Sequence, residues 1–286
     1  MKRIIFLISL LTIIIFSSTL GTAFGKEDDC TNKNMREDKK FKVPFFDGIK
    51  FQITNANPKL THASHMVDDV NDLAGTDLDD WDSIDIFTLD LVLWRDLSRY
   101  FKADFAIAGT VGELTDSDKA TFSTPFGGIP ADLRMRQRYS MLMLWTNLYY
   151  YPFKTNCRSY KSGNIIEPFI AGGLGYTFFR SESTFKVRNS PVDSFNGRIR
   201  NNWNGNDWAF KMMTGFNINP GNINPKLEGW IVTFSAFYIW NRMKGHSSNN
   251  YSSGLNPAFK DFLGSTTRMD IDLTGYNFSL AIGHYF

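Results

Sequence analysis

The sequence contains few of the residues on which most catalytic and metal-binding sites depend. Its 286 residues include two cysteines, Cys30 and Cys157, and four histidines. A cysteine pair without nearby histidines is a poor zinc site, and the neighbouring His62 and His65 have no third ligand beside them. The acidic residues between 68 and 80 lack the spacing of a calcium-binding loop. The sequence therefore predicts no metal site and no cofactor.

The chain after the leader also lacks a long apolar segment, and it carries no net charge. After residue 16 there is no stretch of eighteen consecutive apolar residues, so no transmembrane helix is predicted. Removal of Lys2 and Arg3 with a leader peptide leaves 29 of the 31 basic residues, against 29 acidic ones. A chain with zero net charge lacks the basic surface of a nucleic-acid-binding protein, and we predict no nucleic-acid partner.

The first 25 residues have the pattern of a secretory signal peptide. Lys2 and Arg3 precede an apolar run over residues 4–16, and the small residues Ala23 and Gly25 mark a cleavage site. Such a leader directs a chain out of the cytoplasm and is removed from the mature protein. We therefore predict a signal peptide at 1–25, a charged periplasmic tail at 26–47 and the folded domain at 48–286.

The remainder of the chain contains segments that alternate between apolar and polar or small residues, which is the period of a β-strand. The clearest lies at the C-terminus, where Tyr276, Phe278 and Leu280 share one face and Asn277 and Ser279 the other. The first candidate strand has eight residues and the other seven have twelve or more, and about ten are enough to cross the apolar layer of a membrane when tilted. The predicted strands are 48–55, 83–94, 101–112, 138–151, 167–179, 207–218, 229–242 and 267–286.

The connections between these eight strands alternate in length. Long polar connections follow the first, third, fifth and seventh strands, and shorter ones follow the second, fourth and sixth. A barrel in the outer membrane has long loops outside and short turns in the periplasm. A soluble eight-stranded barrel would also alternate, but its apolar face would point inward and it needs no such asymmetry. We predict an all-β fold, an eight-stranded antiparallel up-and-down transmembrane β-barrel with long extracellular loops and short periplasmic turns.

The end of the chain carries a family resemblance. The last strand closes on an aromatic residue, Phe286, which resembles the terminal signature of bacterial outer-membrane barrels. Together with the eight strands and the alternating connections, it makes the chain similar to the OmpA-like and OmpW-like group. The resemblance implies a place in the bacterial outer membrane, contact with outer-membrane lipid and lipopolysaccharide, and recognition of the C-terminal strand by the barrel-assembly machinery.

The predicted topology places both cysteines on the same side of the membrane. Cys30 lies in the N-terminal tail and Cys157 in the second short turn, and both of these regions are periplasmic in this topology. The periplasm is oxidising, which permits a disulfide bond that ties the tail to the barrel.

The width of the predicted barrel determines whether a solute could pass through it. Eight strands enclose a space just wide enough for their own side chains. Asp90 and Lys211 fall on inward faces and can form a buried ion pair there. We therefore predict a filled lumen rather than a diffusion pore.

One motif indicates a chemical activity. Residues 245–250 read Gly-His-Ser-Ser-Asn-Asn, and His246, Ser248 and Asn249 resemble the His-x-Ser-Asn motif of the PagL family of lipid A 3-O-deacylases, which are eight-stranded outer-membrane barrels. The resemblance implies Ser248 as the nucleophile, His246 as its general base and Asn249 as part of an oxyanion site. The family's acidic partner aligns with a lysine here, and Asp261 beside it is the candidate replacement.

Three functions follow from these observations. The first is a non-enzymatic surface protein, in which the barrel anchors extracellular loops for contact with lipopolysaccharide, a host or neighbouring cells. The second is hydrolysis of a lipid A ester by Ser248 and His246. The third, binding or passage of small hydrophobic solutes, has no specific residues to support it, and the sequence does not indicate an oligomeric state.

Overall fold

The computed structural model describes residues 45–56, 59, 67–68, 71–72, 75–78, 86–124, 127–154, 164–193, 196–253 and 268–286. For 122–124, 245–253 and 268–270 it describes the backbone alone. Cys30, Cys157 and Asp261 lie outside the described residues, and the signal peptide and the tail remain predictions. Among the residues described, no helix has the length and apolar character needed to span a membrane.

The described residues form ten antiparallel β-strands. Two short 3-10 turns, Pro220–Asn222 and Pro225–Leu227, connect the sixth strand to the seventh. The strands are β1 (Gly48–Ala56), β2 (Ile86–Asp96), β3 (Phe101–Thr124), β4 (Gly127–Tyr150), β5 (Ile166–Arg188), β6 (Gly197–Ile218), β7 (Trp230–Trp240), β8 (Arg242–Ser253), β9 (Arg268–Asp272) and β10 (Gly275–Tyr285).

Eight of these strands close into a ring. Neighbours in the chain pair from β1 to β7, β7 then pairs with β10, and β10 returns to β1 with Gly48 opposite Tyr285. Closure matters because a sheet edge in lipid would leave backbone N–H and C=O groups unpaired. The predicted eight-stranded antiparallel barrel is therefore confirmed.

The strands β8 and β9 continue the wall beyond β7 and β10. Asn241 interrupts the strand between β7 and β8, and its side-chain amide donates to the Trp208 carbonyl at 2.8 Å. The backbone N–H of Leu273 donates to the Asn241 carbonyl at 2.9 Å, so the matching break between β9 and β10 is tied to it. Beyond the break β8 pairs with β6 and with β9, which keeps the wall continuous.

In the lower half of the barrel the apolar side chains point outward. On β2 the side chain of Leu89 is 69% exposed while its neighbour Thr88 is 1% exposed. Leu280 and Phe210 are likewise exposed, and the inward neighbours of Phe210, Ala209 and Lys211, are buried. This is the reverse of a soluble protein and is the arrangement of a barrel wall that stands in lipid.

Aromatic side chains bound this apolar belt at both ends. At the end near the chain terminus, Trp230 packs edge-on against His284, with ring centroids 5.2 Å apart. At the other end Tyr176 packs against Trp208 at 5.1 Å, and Tyr238 against Tyr276 at 4.8 Å. Along β10 the belt covers about nine residues, which at about 3.3 Å per residue and a tilt of about 40° gives roughly 23 Å. An outer-membrane barrel has an apolar band of about 25 Å between two aromatic girdles.

The strands continue well past the belt, which corrects the predicted loops. β3 and β4 have 24 residues each, more than twice the ten or so that a crossing requires. Most of the predicted loop at 113–135 is therefore strand, as are parts of those at 181–206 and 243–266. We refer to residues 113–124, 127–138, 180–193, 196–206 and 242–253 together as the extension.

The polarity of the wall reverses in the extension. Met135 and Phe185 point inward and are fully buried, while Arg134 and Arg138 are exposed on the outside. An apolar interior with a polar exterior is what water requires of a sheet, and the extension therefore has its own core. Its buried members include Ala131, Leu133, Met135, Phe185, Val187, Ile199, Trp203 and Met243.

Candidate functional site

The end of the lumen near Trp94 holds a cluster of buried charges. Asp96 Oδ1 lies 3.3 Å from Lys154 Nζ and 3.7 Å from Lys102 Nζ, and these side chains are almost completely enclosed. Lys102 Nζ also donates to the hydroxyl of Tyr285 at 3.4 Å. Asp96 offsets one of the two ammonium charges, and the buried carboxylate of Glu167 is a second negative charge that acts on both lysines, so the charges at this end of the barrel balance.

A second cluster lies in the middle of the lumen. Asp104 accepts hydrogen bonds of 2.5 Å from the amide of Asn147 and from the hydroxyl of Tyr149. Lys50 Nζ lies 3.7 Å from the same carboxylate. The ring of Phe169 packs edge-on against Tyr149 at 5.2 Å, so aromatic rings occupy the space beside the charges.

The two lumen residues singled out in the sequence, Asp90 and Lys211, are both buried above these clusters. Asp90 accepts hydrogen bonds from Gln52, Thr54 and Thr88 at 2.8, 3.1 and 2.9 Å. Lys211 Nζ instead lies 4.3 Å from the centre of the Trp145 ring, a cation–π contact. Among the described residues no direct ion pair joins the two, so each charge is stabilised by its own neighbours.

Together these layers occupy the lumen with side chains. Inward polar groups that face each other there form hydrogen bonds with one another, which a buried polar group needs where no water is available. An eight-stranded barrel has room for little else. The geometry is that of a barrel whose lumen is filled by its own side chains.

The outward face of the extension carries a dense set of basic residues, which we call the basic face. Residues that pair across antiparallel strands share one side of the sheet, and here three strands bring their basic residues to the outside. Arg134 pairs with Lys186, and Lys186 with Arg198. The basic face comprises Arg134, Arg136 and Arg138 on β4, Arg180, Lys186 and Arg188 on β5, and Arg198 and Arg200 on β6.

Three of these arginines are held by carboxylates. Glu113 on β3 accepts from Arg136 at 2.5 Å and from Arg138 at 2.9 Å. These two hydrogen bonds, Arg136 first, lower the pKa of Glu113 to about 2. Arg200 pairs with Glu182 in the same way. The remaining five basic residues have no carboxylate partner among the described residues.

An open groove of about 1120 Å³ runs along the outside of the barrel where the belt meets the extension. On its membrane side it is lined by apolar residues that include Leu89, Leu142 and Phe178. On its other side it is lined by Arg180, Lys244 and asparagines of β6. The groove therefore has an apolar side and a cationic side.

The three motif residues lie on strand β8, not in a loop. The backbone of His246 pairs with Asn204 of β6 and with Arg268 of β9. Asn249 pairs with Asn202 and Ser247 with Trp203, so Ser248 is the extra residue of a β-bulge. Bulges re-aim a side chain and are common beside active sites. Asp261, the predicted acidic partner, lies outside the described residues.

Sequence reasoning did not identify the basic face, although the sequence contains a signal for it. Arg134, Arg136 and Arg138 recur at every second position, and so do Arg198 and Arg200. That period places them on one side of a strand. Among the described residues, no group of three or more histidine, cysteine or acidic side chains could hold a metal ion.

Comparisons with known proteins match the chain to solved structures alone. No known protein family matches the sequence, and no curated protein matches it. The outer membrane protein OprG from Pseudomonas aeruginosa is similar with 17% identity and a TM-score of 0.35, over 84% of this chain and 96% of that one. Ail, the attachment invasion locus protein of Yersinia pestis, has 11% identity and a TM-score of 0.34, over 84% and 99%. Acinetobacter baumannii CarO has 13% identity and a TM-score of 0.32, over 84% and 98%.

Proposed function

We propose that this protein is a non-enzymatic anchor of the bacterial outer membrane that displays a β-walled extension at the cell surface. The observation that carries the proposal is the reversal of polarity along the wall. An apolar exterior below and an apolar interior above fit a molecule that stands partly in lipid and partly in water. The extension then meets lipopolysaccharide, host molecules or neighbouring cells.

The filled lumen supports an anchor over a channel. The charged clusters around Asp96 and Asp104, with their aromatic neighbours, occupy the path that a solute would take. Opening that path would require several buried ion pairs to separate in a low-dielectric interior, which costs several kcal/mol for each ion. In a planar lipid bilayer the purified protein is therefore expected to show no stable unitary conductance.

An epitope tag placed in each of two exposed turns tests the orientation. A tag inserted after Val192, between β5 and β6, is expected to bind antibody on intact cells. A matched tag after Lys226, between β6 and β7, is expected to bind antibody only after the outer membrane is permeabilised. Labelling of the Lys226 tag alone on intact cells would refute the proposed orientation, and labelling of neither would refute surface display.

Hydrolysis of a lipid A ester is a second candidate, and the bulge at Ser248 is the observation that favours it. A serine in a bulge can present its hydroxyl outside the regular alternation of the strand, and nucleophilic serines require a histidine within hydrogen-bond reach. Incubation of the refolded protein with lipid A, followed by detection of hydroxy fatty acid, separates the two functions. We expect no release; release that disappears in Ser248→Ala and in His246→Ala would replace the anchor function with an esterase.

A further inference from the structure

The basic face contains a row of three cations that folding alone does not explain. Lys186 lies between Arg134 and Arg198 on adjacent strands, with each pair in direct register. Residues directly opposite on antiparallel strands have Cβ atoms about 5 Å apart, and like charges in that position destabilise a sheet. None of the three forms an ion pair with a carboxylate among the described residues; the outward carboxylate of Asp132 lies in the next residue pair, opposite Arg188. No direct ion pair therefore offsets the mutual repulsion of the row.

The electrostatic environment of Lys186 agrees with this geometry. Partial desolvation and the nearby charges of Arg188, Arg198 and Arg134 lower the pKa of Lys186 from its ordinary value. A bound anion would reverse that effect, because an opposite charge within a few ångströms favours the charged form of an amine. The row is therefore a place where an anion relieves an existing electrostatic cost.

The neighbouring row supplies donors that are already fixed in place. Arg136 and Arg200 lie on either side of Thr184, opposite it on β4 and β6. Glu113 holds Arg136, and Glu182 holds Arg200. A guanidinium group has five N–H donors in a rigid fork, and a single carboxylate does not use all of them. The remaining donors suit phosphate oxygens, which arginine binds in a bidentate manner.

The groove below the basic face adds an apolar surface beside the cations. Leu142 and Phe178 line its membrane side, and Arg180 lies on the other. Arg180 pairs with Ser140 on β4 and therefore lies on the same outward side, closer to the belt than the row of Lys186. Along β5 the outward residues therefore run from the apolar Phe178 through Arg180, Glu182 and Thr184 to Lys186 in the row of three cations, eight residues of strand in all.

From this order of groups we infer that the basic face binds the phosphorylated head group of an outer-leaflet glycolipid whose acyl chains lie against the apolar belt. The inference rests on the proposed placement in the outer membrane, because only there is the basic face level with lipid head groups. A free phosphate would leave the apolar side of the groove unused. A phosphorylated lipid places its acyl chains on the apolar side of the groove and its phosphate on the cationic side. This match of polarity and charge favours it as the occupant.

The test measures binding of full-length barrel in detergent micelles to three probes. They are lipid A with both phosphates, the same lipid with both phosphates removed, and the soluble bisphosphorylated glucosamine disaccharide without acyl chains. The test variant replaces the row, Arg134→Gln with Lys186→Gln and Arg198→Gln. The matched control also removes three exposed positive charges, Lys59→Gln with Lys119→Gln and Lys226→Gln, all outside the basic face.

We expect the unmodified protein to bind the bisphosphorylated lipid more tightly than the other two probes. The test variant should bind it on the order of tenfold or more weakly, since charge-assisted hydrogen bonds are the strong ones and each 1.4 kcal/mol is a factor of ten. The control variant should bind as the unmodified protein does. Five of the six substituted residues are exposed and Lys186 is half-buried, and the heat-dependent shift in gel mobility checks that each barrel is folded.

Three results would overturn the inference. If the dephosphorylated lipid bound equally well, the phosphate groups would not be what the basic face recognises. If the control variant lost as much affinity as the test variant, the binding would depend only on the overall charge of the protein. Binding of the soluble disaccharide as tightly as the lipid would make the site one for a free anion. Surface labelling of the tag after Val192 is measured in the same variants, so that a failure of surface display is told apart from a failure of lipid binding.

Discussion

Small residues in the wall allow the lumen to be filled. Gly175 points inward under the ring of Trp145, and a Cβ atom at this position would lie 2.4 Å from that ring. Trp145 in turn supports the ammonium group of Lys211 at 4.3 Å. On the lipid side of the same strand, a Cβ atom at Gly172 would meet nothing within 4 Å. The two glycines therefore have different roles, although they lie three residues apart.

Substitution of these glycines separates the two roles. Gly175→Leu is expected to destabilise the barrel by about 1–3 kcal/mol or more, because overpacking forces neighbouring side chains out of their preferred rotamers. Gly172→Leu adds an apolar side chain that faces lipid and should leave stability nearly unchanged. Urea-induced unfolding in lipid vesicles measures both, and equal stability of the two variants would show that the space around Trp145 is not filled.

The ion pairs of Glu113 predict a pH dependence with a definite sign. The folded state lowers the pKa of this carboxyl from 4.5 to about 2, so folding favours the ionised form. The contribution of the pairs is complete above about pH 4.5 and is lost as the pH falls toward 2. A carboxyl-detected NMR titration of Glu113 should therefore have its midpoint near 2.

A matched variant identifies the cause of that shift. With Arg136→Gln and Arg138→Gln together, the two hydrogen bonds are gone and the midpoint should return toward 4.5. A midpoint near 4.5 in the unmodified protein would mean that the guanidinium groups do not hold Glu113 in solution.

At the scale of the strands, the membrane segments were predictable and the extension was not. A residue that faces lipid must be apolar, so Leu89 and Leu280 could be placed outside from alternation alone. In the extension the outward residues are charged or polar, such as Glu113, Thr115 and Arg134, and 113–135 was interpreted as a polar loop. The alternation of Leu133, Arg134 and Met135 is nevertheless a strand pattern. The apolar residues of this strand face inward, as they do in a sheet that is surrounded by water.

The candidate sites were likewise predictable only where they depend on a single strand. Asp90 and Lys211 could be named because each lies inside a clear strand. Asp96 and Lys102 lie where β2 ends and β3 begins, and the pairing of their charges depends on the turn between those strands. The basic face depends on the register of β4, β5 and β6, which alternation within one strand cannot supply.

The inner core of the extension predicts that its stability can be changed separately from that of the belt. Phe185 is fully buried in the extension, and Phe178 on the same strand faces lipid. Phe185→Ala is expected to cost about 3–5 kcal/mol, the usual result of removing a buried aromatic ring. Limited proteolysis should then cleave the extension while the belt stays protected.

Phe178→Ala is the matched control, since it removes the same side chain from the same strand. It should leave the extension resistant to protease. Cleavage of both variants at the same rate would contradict a separate core around Phe185.

At the scale of the whole molecule, the barrel is one closed wall whose lower part suits lipid and whose upper part suits water. Below the boundary the exterior is apolar and the interior is filled with paired charges; above it the exterior is basic and the interior apolar. The alternation of side chains is the same throughout, and the polarity of the two faces is exchanged where the aromatic residues Tyr176 and Trp208 lie. The proposed surface display and the proposed lipid binding by the basic face both require that boundary to lie at the membrane surface.

Quenching of tryptophan fluorescence by lipids brominated on their acyl chains tests this arrangement most directly. Variants that keep a single tryptophan would be reconstituted into such lipids, with Trp208, Trp230 or Trp240 as the outward reporters and Trp145 as the inward one. The outward residues are 42–49% exposed and Trp145 is 3% exposed. We predict strong quenching of the three outward residues and little of Trp145. Equal or stronger quenching of Trp145, or a full-length protein that stays soluble without detergent or lipid, would contradict the account.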